Sequence, residues 1–212
     1  MRRAFRYLAF VLIALALLCS CRTQTIVYGD PERSDVVVLF YPGGKVDPNA
    51  YSPILEGICD DGIPVIVAKM PLNLAILDGN IASRIVKDYP NVRHWFLAGH
   101  SLGGVMASSW SSKHTDIVNG VILLASYTTK SLPMPVLSVY GSNDGVLNLK
   151  KYHKGMERIS NLEEHVIEGG NHCQFGDYGF QKGDNEATVS RQEQTSLTVD
   201  LVVAFINRHI SP

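Results

Sequence analysis

LAGHSLGG, Leu97 to Gly104, places a serine between two glycines at the spacing Gly-x-Ser-x-Gly. The spacing has a steric reason. A tight turn from a strand into a helix holds its serine in a strained backbone conformation, and side chains two residues to either side would collide with the crossing chain. Alone, the pattern says little: with glycine at about 7% of residues, a chance match arises on the order of once in ten chains of this length. Its surroundings say more. The apolar run His94 to Ala98 reads as a strand entering the turn, and Gly103 to His114 reads as a helix leaving it. That order makes Ser101 a candidate nucleophile.

Working outward, continuous apolar runs alternate with amphipathic stretches, the pattern of a mostly parallel sheet covered on both faces. Val36 to Tyr41, Pro64 to Ala68, Val121 to Ala125, Pro135 to Tyr140 and Glu164 to Ile167 read as further strands. Between them, Asp47-Pro48 opens a helix to about Ile58 as N-cap and first residue. Asn73 caps a helix to Val86, and another runs near Leu147 to Met156. Ser190 and Glu193 form a capping box for a last helix with Leu197, Leu201, Val202, Phe205 and Ile206 on one face. The alternation runs from residue 36 to the end without repeats or low-complexity segments, so residues 21–212 read as one domain.

A serine hydroxyl is a weak nucleophile until a histidine takes its proton, and the histidine needs a carboxylate to fix its tautomer. Of seven histidines, His172 alone stands in a loop just past the carboxyl end of a strand, in Gly169-Gly170-Asn171-His172. Active-site groups collect at such ends in open α/β sheets. His94, His114, His153 and His209 read as surface residues, His165 lies within a strand, and His100 points away from its serine neighbour as a packing residue. Asp144, in Gly141-Ser142-Asn143-Asp144-Gly145, has the same strand-end placement and completes the order Ser, Asp, His. Asp116 is the alternative acid, although it precedes a strand.

A developing oxyanion needs donors. One is the backbone N–H of Leu102, next after the nucleophile, and the other comes from Tyr41-Pro42-Gly43-Gly44-Lys45, with Gly44 first and Lys45 second.

These stretches, together with Met70-Pro71-Leu72-Asn73-Leu74 and Phe175-Gly176-Asp177-Tyr178-Gly179, resemble a compact bacterial branch of the α/β-hydrolase superfamily, related to the dienelactone-hydrolase-like group. The resemblance runs from about residue 25 to the end. It implies an α/β-hydrolase fold with helices on both faces of the sheet, and the triad Ser101, Asp144, His172. Pro42-Gly43 stands where many members carry His-Gly. Only eight residues separate Ser126 from Pro135, where lipases insert a helical cap, so no cap domain is expected. The pocket should be open, with residues 173–189 either a wall carrying Phe175, Tyr178 and Phe180 or a polar surface loop. Asn73 reads as an N-cap or a site residue, and Lys45 as a solvated side chain or one facing the site.

The first residues differ from the rest. Arg2, Arg3 and Arg6 precede a twelve-residue apolar run, Tyr7 to Leu18. That is shorter than the roughly 20 residues a membrane-spanning helix needs, so residues 1–20 read as an export signal, with an uncleaved anchor as the alternative. Leu18-Cys19-Ser20-Cys21 resembles the lipobox of bacterial lipoproteins, which implies a mature chain that starts at Cys21 and is tied to a membrane by acyl chains outside the cytoplasm. Losing three arginines takes the net charge from −1 to −4, and no basic stripe suited to nucleic acid appears elsewhere. Cys59 and Cys173 belong to opposite ends of the sheet, separated by about a strand length of 17 Å. That exceeds the roughly 7 Å that a disulfide tolerates, so both read as free, buried thiols.

The functional expectation is hydrolysis of a carboxylic ester or thioester through an acyl-enzyme, on a small-molecule substrate, with no metal or cofactor. A membrane-tethered lysophospholipase or a non-catalytic envelope lipoprotein that kept the fold are the alternatives.

Overall fold

The computed structural model describes residues 25–210, so residues 1–20, read above as an export signal, and Cys21, read as the point of lipid attachment, lie outside the described residues. Seven strands form one sheet: β1 (Thr25–Tyr28), β2 (Val36–Tyr41), β3 (Val65–Ala68), β4 (His94–His100), β5 (Val118–Leu124), β6 (Val136–Gly141) and β7 (Leu162–Ile167). Their spatial order is β1-β3-β2-β4-β5-β6-β7. Only β1 runs antiparallel, against β3. The remaining pairs are parallel, with β2 and β4 in register from Val36 against His94 to Tyr41 against Gly99.

The strand sequences explain this arrangement. β2 is apolar without interruption because both its faces are covered: Val37, Leu39 and Tyr41 join one core, and Val38 and Phe40 the other. The first core is closed by α2 (Ile81–Asp88), α3 (Leu102–Ser111) and α4 (Leu149–Met156), through Ile81, Ile85, Ala107, Trp110, Tyr152 and Met156. The second is closed by α1 (Ser52–Asp60) and α5 (Arg191–Ile210), through Ile54, Leu55, Ile58, Val202, Phe205 and Ile206. There Phe205 meets Phe96 edge-on, with centroids 6.0 Å apart, a geometry worth about 0.5–1.5 kcal/mol beyond its buried area.

β2 connects leftward to β3, and the chain then crosses back to β4 on the other side of β2. The strand order reverses there, and a crevice opens between the carboxyl ends of β2 and β4. The Tyr41–Lys45 loop and the Ser101 turn both fall in it.

Four local expectations need correction. The short edge strand β1 is absent from the sequence reading. The helix after Asp47 opens with a 3-10 turn, Pro48–Tyr51, because Pro53 has no N–H to bond the Asn49 carbonyl; the Ser52 N–H takes it instead. Asp47 still caps it, accepting from the Asn49 N–H at 2.9 Å. No helix starts at Asn73. Pro71–Asn73 and Ala75–Asp78 are 3-10 turns, Leu72 and Asn73 have positive φ, and α2 begins only after Gly79-Asn80. Leu197 is 42% exposed and leaves the apolar face of α5. The capping box holds, with the Glu193 N–H on Ser190 Oγ at 3.1 Å. Both Cys59 and Cys173 are free; Cys173 is buried and Cys59 half-buried. Residues 125–135, between β5 and β6, hold no helix.

Candidate active site

Ser101 sits between β4 and α3 at φ 51° and ψ −122°, a conformation that L side chains rarely adopt. The surrounding glycines make room for it. A Cβ on Gly103 would lie 2.1 Å from the Tyr41 carbonyl oxygen, and one on Gly99 would lie 2.6 Å from the Gly103 carbonyl carbon. Two hydrogen bonds fix the turn: the Ser101 N–H donates to the Leu124 carbonyl at 3.0 Å, and the Ser126 hydroxyl to the Ser101 carbonyl at 2.6 Å.

His172 and Asp144 come together from the loops after β7 and β6. His172 Nδ1 lies 2.8 Å from Asp144 Oδ2, and each side chain is 1% exposed. Asp144 Oδ1 accepts from the N–H groups of Val146, at 2.8 Å, and Leu147, at 2.7 Å. With the carboxylate oriented this way, Nδ1 is the donor and Nε2 carries the lone pair. Nε2 is buried and makes no hydrogen bond among the described residues. His172 and Ser101 line the same cleft of about 280 Å³, together with Leu102, Tyr127, Leu147, Asn148 and Lys151. The alternative acid, Asp116, is exposed in the turn before β5.

On the other flank of Ser101, Gly44 packs against Leu102: a Cβ on Gly44 would approach Leu102 Cδ2 to 3.0 Å. Among the described residues, the N–H groups of Gly44 and Leu102 have no protein acceptor, as an oxyanion site requires. Lys45 cannot share that role, because its N–H donates to the Asn73 carbonyl at 2.7 Å. Asn73 therefore braces the loop through its backbone instead of capping a helix.

His100 packs away from Ser101, as expected, but its surroundings are more specific than a packing role requires. It is 1% exposed, and its ring lies 4.6 Å from that of His172. Burial, then the neighbouring His172, hold its pKa well below the ordinary histidine value. The Tyr51 hydroxyl lies 2.9 Å from His100 Nδ1 and accepts from the Gly43 N–H at 2.9 Å. One phenol thus bridges the Gly43-Gly44 loop and the ring behind the candidate base. Phe175 and Tyr178 also pack on His100, while Phe180 is exposed. Phe175 and Tyr178 stand behind the candidate base, and no aromatic residue of 173–189 lines the cleft.

Two groups were missed from the sequence. Asp184, 8% exposed, accepts from the N–H groups of Gly145 at 3.0 Å, His172 at 3.3 Å and Cys173 at 2.8 Å. Burial pushes its carboxyl up, and these donors more than offset that, leaving its pKa below the ordinary value. Gln194 on α5 is fully buried and brackets Asn171, accepting from its N–H at 3.0 Å and donating to its carbonyl at 2.9 Å. Nothing local marks either residue. Gly183-Asp184-Asn185 reads as a turn and Gln194 as a helix-surface amide. Cys173, next to His172, has its thiol pKa raised, chiefly by burial. Among the described residues no cluster of His, Cys, Asp and Glu could hold a metal ion.

Residues 37–196 match the model of the Alpha/beta hydrolase family. Among curated proteins none matches the sequence. Solved structures share the fold at low identity. Est1E from Butyrivibrio proteoclasticus, solved with ferulic acid bound, superposes with a TM-score of 0.69 at 12% identity, covering 89% of this chain and 96% of its own. Paleococcus ferrophilus monoacylglycerol lipase gives 0.67 at 14%, covering 86% and 99%. A predicted CIB-like hydrolase from Thermoplasma acidophilum gives 0.60 at 18%, covering 85% and 93%.

Proposed function

Because the chain belongs to the alpha/beta hydrolase family, we propose that it is a serine hydrolase that cleaves a carboxylic ester or thioester through an acyl-enzyme. The observation that carries this reading is the buried His172–Asp144 pair: His172, with its Nε2 unpartnered, lines the same cleft as the strained Ser101. His172 takes the hydroxyl proton as Ser101 attacks the acyl carbon, Asp144 supports the imidazolium, and the Leu102 and Gly44 amides bind the oxyanion. The imidazolium then protonates the leaving alcohol or thiol. Water, activated by the same nitrogen, releases the acid. The motifs at residues 40–46 and 169–179 favour the branch related to the dienelactone-hydrolase-like group. The lipobox-like Leu18 to Cys21 favours export and lipid attachment at Cys21.

A fluorophosphonate probe with mass mapping tests the chemistry. Labelling is expected at Ser101, absent in Ser101→Ala and weakened in His172→Ala. Folded protein that takes no label overturns the reading. Ester turnover in Ser101→Ala should fall on the order of 10⁴-fold or more with stability little changed. Separately, Cys21→Ser should release the protein from membranes.

A further inference from the structure

Beside the catalytic cleft lies a second cavity of about 300 Å³, lined by Tyr127, Thr128, Thr129, Lys151, Lys154 and Arg158. It continues the first, because Tyr127 and Lys151 line both. Lys151 and Lys154 lie one turn apart on α4, and Arg158 comes just after Glu157, the C-cap of that helix. The wall is firmly built. A Cβ on Gly155 would come within 2.5 Å of the Thr128 carbonyl oxygen, so the helix sits flush on that segment. The Arg158 carbonyl accepts from the Ser131 hydroxyl at 3.2 Å.

No acidic side chain lines this cavity. Among the described residues, none of its three cations enters an ion pair, whereas Arg33, Arg84, Arg93, Arg191 and Arg208 all do. Like charges three residues apart on a helix, as Lys151 and Lys154 are, repel each other. Here they gather in a chain whose net charge is −1. An anion in the cavity would relieve that repulsion.

We propose that the substrate is an ester or thioester carrying an anionic group, carboxylate or phosphate, which Lys154 and Arg158 hold while the scissile carbonyl sits at Ser101; this rests on the serine-hydrolase reading. The acyl or leaving portion runs past Tyr127 and Lys151 from one cavity into the other.

Two matched chromogenic esters test it: the mono-p-nitrophenyl ester of adipate and p-nitrophenyl hexanoate, which differ by one terminal carboxylate. The adipate ester should have the higher kcat/KM by roughly tenfold at low salt, the size expected of two exposed charge pairs. That ratio should approach one in Lys154→Gln/Arg158→Gln and shrink with added salt. A ratio near one in the wild type, or one that survives the double substitution, overturns the proposal. A second measurement does not need turnover. Calorimetry of pyrophosphate binding to Ser101→Ala should show binding that the same two substitutions weaken about tenfold; pyrophosphate binding that ignores the substitutions overturns it as well. Failure of the hydrolase reading looks different: neither ester is turned over and Ser101 takes no label, while pyrophosphate still binds.

Discussion

Ser101 and His172 line one cleft, yet different physics holds each of them there. The turn at Ser101 is shaped by exclusion among near neighbours, where any Cβ at Gly99 or Gly103 would strike backbone. His172 is placed by polar attraction from other segments: Asp144 meets its ring, Asp184 accepts from its backbone N–H, and Gln194 holds the neighbouring Asn171. A steric device is written in the residue types at fixed spacing. A polar tether needs only an acceptor at the right place in space, and many sequences supply one.

The largest expected effect breaks the polar side. Asp144→Asn keeps an oxygen for the Val146 and Leu147 N–H groups but sets an amide NH₂ opposite His172 Nδ1, so the ring loses the tautomer that leaves Nε2 free. Ester turnover should fall on the order of 10³–10⁴-fold, with the urea midpoint close to wild type. Full activity in this variant would move the acid role to another residue.

Next comes the steric side. Gly103→Ala puts a methyl group 2.1 Å from the Tyr41 carbonyl oxygen and 2.4 Å from that of Pro42. Both obstacles are backbone in the central strand region, so relief requires moving β2 or α3. Stability should fall by about 3 kcal/mol or more, read from urea unfolding. An unchanged midpoint would show that the turn adapts more easily than its geometry implies.

Asp184→Asn sharpens the comparison, because Asp184 touches the loops that carry Asp144 and His172 without belonging to the proposed triad. Losing the charge that four backbone donors address, Asn185 N–H included, should cost about 2–3 kcal/mol. The sign with pH follows from its lowered pKa. The stabilisation is complete above the unfolded value, about 3.9, and is lost as pH falls through the lower folded value. The stability gap between wild type and Asp184→Asn should hold from neutral pH to about 5 and close below about 4. A gap independent of pH would mean that packing at Asp184, and not its charge, carries the effect.

The same division explains what could be read from the amino acids. The apolar runs that fill β2 and the middle or end of β4 and β5 name strands buried on both faces, and the Ser, Asp, His order at strand ends places three side chains that the fold brings to one region. Short edge strand β1 has too few residues to show a period. The Asn73 segment misleads because Leu72 and Asn73 take positive φ, held by a backbone bond to Lys45 that no pattern announces. The Asp184–Gly145, Gln194–Asn171 and Tyr51–His100 contacts escaped for one reason: each spans a sequence separation that only the assembled fold closes.

Tyr51→Phe is the smallest of these effects and tests where the two kinds of device meet. The Tyr51 hydroxyl joins the glycine loop, which looks sterically shaped, to the His100 ring packed on His172. A Cβ on Gly43 would lie 2.7 Å from that hydroxyl, so loop and phenol are already at contact distance. Removing the oxygen leaves the Gly43 N–H and His100 Nδ1 buried without a partner, at an expected cost of about 1–2 kcal/mol in urea unfolding. If the phenol sets the loop, kcat should drop severalfold while fluorophosphonate still labels Ser101, since the nucleophile and base are untouched. If kcat stays at the wild-type value while stability falls, the loop is positioned by its own contacts with Leu102 and Asn73. The oxyanion side would then belong with the steric turn, and Tyr51 with the packing beneath it.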